Sequence, residues 1–95
     1  MYKLSKNIIF TKIENRYYIS FRNNKEKNVI VINESGKMII NELVKASSLE
    51  KFRNSIFKMF GITDDAIKSD IMPFIFELEE HEIIIQDEGT YNEKH

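Results

Sequence analysis

The sequence predicts an α+β fold, in which a three-stranded antiparallel sheet is followed by three helices and a short C-terminal strand. As far as residue 32, apolar residues stand in short runs between polar turns, which is typical of strands. From there to about residue 80 they recur every three or four positions, which is typical of helices. A chain of 95 residues is one domain's length, so we expect a single unit over 1–95, with an ordered core at about 8–85 and a flexible tail at 86–95.

The first two predicted strands form a hairpin. Residues 8–14 are rich in β-branched and aromatic types, and Glu14-Asn15 provides turn chemistry at their end. Residues 16–22 alternate between apolar and polar side chains, which predicts a half-buried strand. Its buried face is expected to carry Tyr17, Ile19 and Phe21.

The third predicted strand, Asn28 to Ile32, follows a polar loop at residues 23–27 and is apolar on both faces. A strand of this kind requires cover on both of its faces. Either helices of the same domain cover the second face, or a partner completes it.

Two helices are expected next. The first covers Glu34 to Lys45, with Asn33 or Ser35 as its N-cap. The second begins at one of the serines at 47–48, and Gly61 ends it as a glycine in the left-handed conformation would.

The third predicted helix runs from Thr63 or Asp64 to about Glu80 and carries two apolar stripes. Met72 and Phe76 form the second stripe, which either packs on the sheet or the closing strand or faces a different neighbour. The first stripe is a normal core face and consists of Ile67, Ile71, Phe74, Ile75 and Leu78.

Pro73 interrupts this helix because it has no N–H to donate to the carbonyl of Ser69. We expect a kink there, or alternatively a restart of the helix capped by Asp70. A closing strand follows at Ile83 to Ile85.

Several kinds of catalytic site are missing from the sequence. It has no cysteine, so thiolate metal sites, disulfides and cysteine nucleophiles are excluded. His81 and His95 are not spaced as a ligand pair, and the three glycines are scattered singly rather than gathered in a phosphate-binding loop. We therefore expect a protein that is not an enzyme and has no cofactor or metal.

No apolar run approaches the ~20 residues that cross a bilayer, and the N-terminal residues do not resemble a secretory signal. We expect a cytoplasmic protein. Its net charge of −1 hides a strong asymmetry, because residues 1–60 carry +7 and residues 61–95 carry −8. The two parts therefore favour partners of opposite charge, unless both are simply solvated faces.

Strands followed by three helices resemble a winged helix-turn-helix arrangement, in which the third helix enters the major groove of DNA. Residues 64–82 contain Lys68 as their only basic residue, against seven acidic residues. A phosphate backbone would repel such a helix. We therefore expect no nucleic acid and favour a peptide or protein partner.

The order of motifs over about residues 8–85 resembles that of PqqD-like proteins, the peptide-recognition elements of pathways that modify ribosomally made peptides. The first half of the resemblance lies in Val31-Ile32-Asn33-Glu34-Ser35, Ile39-Ile40 and Glu42-Leu43. The second half lies in Gly61-Ile62-Thr63-Asp64, Asp70-Ile71, Phe74-Ile75, Leu78 and Ile83-Ile84.

The resemblance implies a non-catalytic protein that holds the leader of a precursor peptide as an added strand against the third strand. The third helix would form the wall of the cleft. The leader would be delivered to a modifying enzyme such as a radical SAM protein, a cyclase or a leader peptidase. The protein would be a monomer or a weak homodimer, since a free third-strand edge can also pair with itself.

On this reading the leader pairs with the backbone of Asn28, Val29, Ile30, Val31 and Ile32. Its apolar anchors would lie against Ile30, Ile32, Met72 and Phe76, next to Lys68. Acidic leader residues would be attracted by Arg16, Arg22, Lys25 and Lys27. Two rival hypotheses are a winged-helix DNA-binding or regulatory domain that uses its basic first half, and a subunit that stabilises a partner enzyme without contacting the peptide.

Overall fold

The computed structural model describes residues 1–87. The strands are β1 (Tyr2–Leu4), β2 (Ile8–Ile13), β3 (Arg16–Phe21), β4 (Ile30–Asn33) and β5 (Ile84–Gln86). The first two helices are α1 (Glu34–Lys45) and α2 (Leu49–Phe60). The third helix is continuous and has three segments: α3 (Asp64–Ala66), a π-helical turn (Ile67–Ile71) and α4 (Met72–Glu80).

The predicted α+β class and the three-stranded antiparallel sheet are confirmed. The sheet has the order β2-β3-β4, and its pairing places Tyr17 opposite Ile32 and Ile19 opposite Ile30. The predicted bounds of the first helix agree with α1. The third strand is shifted: it begins at Ile30 and ends at Asn33, so Asn28 and Val29 precede it.

A strand at the N-terminus, β1, was not predicted. It pairs antiparallel with β5, with Leu4 opposite Ile84, and the Tyr2 hydroxyl donates to Glu79 Oε1 at 3.3 Å. Partial burial, followed by the Glu79 carboxylate, raises the pKa of Tyr2 above its ordinary value. The ordered region therefore begins before residue 8. Within the predicted flexible tail, Gln86 belongs to β5 and the Asp87 N–H donates to the Met1 carbonyl at 3.0 Å, while residues 88–95 lie outside the described residues.

Local capping explains where the first two helices begin and end. Asn33 Oδ1 accepts from the Gly36 N–H at 2.8 Å, which decides between the two caps predicted for α1. Ser48 Oγ accepts from the Lys51 N–H at 3.1 Å and caps α2. Gly61 ends α2 with φ of 66°, a left-handed conformation that glycine adopts without a steric penalty.

The chain accommodates Pro73 with a wider helical turn. The Met72 N–H donates to the Ile67 carbonyl, five residues back, so the π-helical turn directly precedes the proline. Asp70 does not cap a restarted helix, and its Oδ1 accepts from Ser69 Oγ at 3.2 Å instead. The helix therefore continues through the position at which an interruption was predicted.

The core lies between one face of the sheet and the helices. Ile19 and Phe21 are buried on this inner face as the alternation predicted, whereas Tyr17 is half-buried. Burial of each such aliphatic or aromatic side chain contributes about 1.5–3 kcal/mol. The helices contribute the buried residues Ile39, Ile40, Leu43, Phe52, Ile56, Ile67, Ile71, Ile75 and Leu78.

The outer face of the sheet is uncovered. Val31 is 48% exposed, and Ile9, Ile13 and Val29 are also exposed. Two explanations were open for the apolar second face of the third strand. Residues 1–87 do not cover this face with helices of the same domain, which was the first of them.

Replacing Asn33 by Ala is expected to lower the free energy of unfolding by about 1 kcal/mol, because the Gly36 N–H loses its acceptor. Ser35→Ala is the matched control, since Ser35 is exposed, and its effect should stay below about 0.5 kcal/mol. Urea denaturation followed by circular dichroism measures both. Equal losses in the two variants would contradict the assignment of Asn33 as the cap.

Candidate functional site

The edge of the three-stranded sheet at β4 has no strand beside it among residues 1–87. In an antiparallel pair only alternate residues direct their N–H and C=O groups toward the partner strand. The remaining N–H and C=O groups of β4 point away from β3 and offer a template for a further strand.

A cleft lies along this edge, between β4, the start of α1 and the third helix. Its volume is about 520 Å³, which is within the usual range for binding sites. The residues that line it are Ile30, Val31, Ile32, Asn33, Ser35, Gly36, Ile39, Asp70, Ile71, Phe74, Glu77, Leu78, His81 and Ile83.

The floor of the cleft is apolar. Ile32, Ile39 and Leu78 are buried members of the core that also line the cleft, so the floor is continuous with the core. The start of α1 packs against the third helix here, since a Cβ at Gly36 would lie 3.4 Å from Phe74 Cζ. The half-buried Phe74 ring thereby forms one side of the cleft.

The rim formed by the third helix is acidic. Asp70 and Glu77 are exposed on it, and none of the lining residues is a lysine or arginine. His81 lies at one end of the rim, where its backbone carbonyl accepts from Lys27 Nζ at 3.0 Å. A cation near the C-terminus of a helix interacts favourably with the helix dipole. This contact ties the loop before β4 to the end of α4.

The structure brings three of the predicted strand residues to the cleft, namely Ile30, Val31 and Ile32. Asn28 and Val29 precede β4 and do not line the cleft.

The residues predicted on the third helix lie elsewhere. Lys68, Met72 and Phe76 do not line the cleft, and Phe76 is 58% exposed. At 3.6 residues per turn Phe76 falls on the same flank of the helix as Glu79, which bonds Tyr2 of β1. The structure therefore places Met72 and Phe76 outside the cleft, because the flank that carries Phe74 faces β4.

None of the predicted basic residues lines the cleft. Arg16 begins β3 and pairs opposite Asn33, Arg22 follows the end of β3, and Lys25 is exposed in the next loop. The ammonium group of Lys27 bonds the His81 carbonyl and lies 4.2 Å from the centroid of the Phe21 ring.

Sequence reasoning missed the residues that form the helical wall. Asp70, Phe74, Glu77 and His81 follow one another at intervals of four, three and four residues, which places them on one flank. This spacing was available in the sequence. Phe74 was predicted in the core stripe, Asp70 as a possible helix cap, and Glu77 only as one of the acidic residues that disfavour DNA binding.

The arrangement is suited to binding an extended chain. Within residues 1–87 there is no group of three His, Cys, Asp or Glu residues that could hold a metal ion. No helix in the same range is long and apolar enough to cross a membrane. The cleft offers main-chain donors and acceptors on one side, an apolar floor and an acidic rim on the other.

Comparisons with protein-family models, with curated proteins and with solved structures found no match for this chain.

Proposed function

We propose that the protein is a non-catalytic peptide-binding module that holds the leader segment of a precursor peptide as an added strand on β4 and presents it to a modifying enzyme. The observation that carries this proposal is the free edge of β4 beside an apolar cleft. A PqqD-like recognition element would use the same edge and the same helix.

Strand addition supplies affinity and specificity by different means. Main-chain hydrogen bonds to β4 give affinity that does not depend on the guest sequence. The four residues of β4 match about four residues of an extended guest, because neighbouring antiparallel strands share the same rise per residue. Alternate guest side chains would enter the cleft and contact Ile71, Phe74 and Leu78.

The charge of the third helix favours a peptide over DNA. The order of the sheet and the helices supports a winged helix-turn-helix arrangement, whose DNA-binding members insert this helix into the major groove. Here the helix presents Asp70 and Glu77 beside the cleft, and these carboxylates would repel phosphates.

The modifying enzyme is the part of the proposal that rests on the resemblance. A radical SAM protein, a cyclase or a leader peptidase would each fit as the recipient of the bound leader. A subunit that only stabilises its enzyme would bind the enzyme and not the peptide, so direct peptide binding distinguishes the two roles.

The test is a fluorescence-anisotropy titration of the purified protein with a labelled synthetic peptide. The probe is the N-terminal segment of the short precursor peptide encoded nearest to this chain's gene. We expect micromolar or tighter binding that weakens only modestly at high salt, because backbone pairing releases few counterions. A labelled DNA duplex should bind weakly, with a steep loss of affinity as salt rises.

The matched control is the same peptide with alternate backbone nitrogens methylated, prepared in both alternations. Methylation removes the N–H donors and leaves the side chains in place, so one of the two alternations should abolish binding. Equal binding of the unmodified peptide and both methylated peptides would contradict strand addition. Absence of binding by the unmodified peptide would contradict the proposed function.

A pair of phenylalanine variants tests which flank of the third helix contacts the guest. Phe74→Ala should weaken binding of the same probe about tenfold, because it truncates an aromatic side chain that lines the cleft. Phe76→Ala makes the same change on the opposite flank and should alter affinity less than about twofold. Circular dichroism checks that both variants fold. A larger effect at Phe76 would show that the guest lies on the other side of the helix.

A further inference from the structure

We propose that the cleft selects guests that carry Lys or Arg beside an apolar anchor, with two basic residues aimed at Asp70 and Glu77. This inference rests on the proposed peptide-binding function and names the chemistry of the guest. The basic guest proposed here has the opposite charge to the acidic leader that the basic residues of the first half predicted.

The two carboxylates are free to receive a cation. The ion pairs of the described residues join Lys12 to Glu34, Lys45 to Glu42 and Arg53 to Asp64, and none of them involves the rim. Asp70 accepts one bond from the neighbouring Ser69 hydroxyl, which leaves its charge in place.

Among residues 1–87, no lysine or arginine lines the cleft. The ammonium group of Lys27, in the loop before β4, is directed to the His81 carbonyl. Lys68 lies on the same helix but does not line the cleft. A guest strand on β4 would thus lie beside an uncompensated acidic rim.

The spacing of the carboxylates sets the spacing of the guest cations. Asp70 and Glu77 are seven residues apart, which is about 10 Å along a helix. An extended chain rises about 3.3 Å per residue, so this distance corresponds to about three guest residues. Alternate residues of an extended chain share a face, so two basic residues four positions apart and an apolar residue midway between them can all face the cleft. Long Lys or Arg side chains can reach over apolar surface to the rim.

The positions between the two cations would carry the apolar anchor. A guest side chain directed inward meets Ile71, Phe74 and Leu78, which favour an aliphatic or aromatic group. The expected motif is therefore an apolar residue flanked by two basic residues in an extended segment. An acidic guest would place like charges next to the rim and would be rejected.

The test is a selection of phage-displayed random twelve-residue peptides on the immobilised full chain, repeated on the D70N/E77Q variant. On the unaltered chain we expect enrichment of peptides with two basic residues four positions apart and an apolar residue midway between them. The D70N/E77Q variant should enrich apolar peptides without that basic preference, since both substitutions keep the side-chain shape and remove the charge.

The control variant is D65N/E50Q, which also removes two negative charges, but at exposed positions that do not line the cleft. A selected basic peptide, measured by anisotropy, should bind this variant within twofold of the unaltered chain. It should bind D70N/E77Q about tenfold more weakly, a size expected for two partly solvated ion pairs, and the difference should shrink as salt rises.

The outcomes separate the two proposals. Failure to enrich any peptide would contradict the proposed peptide binding and this inference with it. Enrichment of apolar or acidic peptides without basic residues would overturn the inference and leave peptide binding intact. Equal loss of affinity in D65N/E50Q and D70N/E77Q would also overturn it, because the preference would then reflect net charge and not the rim.

Discussion

The cleft depends on the way in which the third helix packs against the core. Ile71, Ile75 and Leu78 are buried along one stripe of this helix, and that burial fixes its rotation about its own axis. Once the rotation is fixed, the flank with Phe74 faces the free edge of β4, and the flank with Glu79 faces β1. The site is therefore a consequence of core packing, and several residues that line it, such as Ile39 and Leu78, also belong to the core.

The uneven distribution of charge along the sequence has a spatial counterpart. The acidic last third of the chain supplies both carboxylates of the rim, whereas Arg16, Arg22 and Lys25 of the basic first half do not line the cleft. The acidic third helix therefore repels a DNA backbone but does not oppose a peptide strand that pairs with β4. Main-chain pairing tolerates an acidic surface, while phosphate contacts do not.

The parts of the fold that could be predicted are those determined by interactions between residues close in sequence. The alternation in β3 and the spacing in α1 are set by neighbouring residues, and so is the left-handed glycine at Gly61. The strand β1 was missed because its three residues show no extended alternation and pair with β5, some eighty positions away. Periodicity also reveals that the third helix has two flanks, but only tertiary packing decides which neighbour each flank meets. For that reason Phe76 was predicted in the wall of the cleft, whereas in the structure Phe74 lines the cleft.

Amide hydrogen exchange of β4, followed by NMR with and without a saturating bound peptide, tests the central claim most directly. If a guest strand pairs with the free edge, alternate amides among Ile30–Asn33 should exchange at least tenfold more slowly in the complex, because they gain main-chain acceptors. Amides of α2, which does not line the cleft, should keep their rates. Unchanged exchange throughout β4, with new protection elsewhere, would contradict the account.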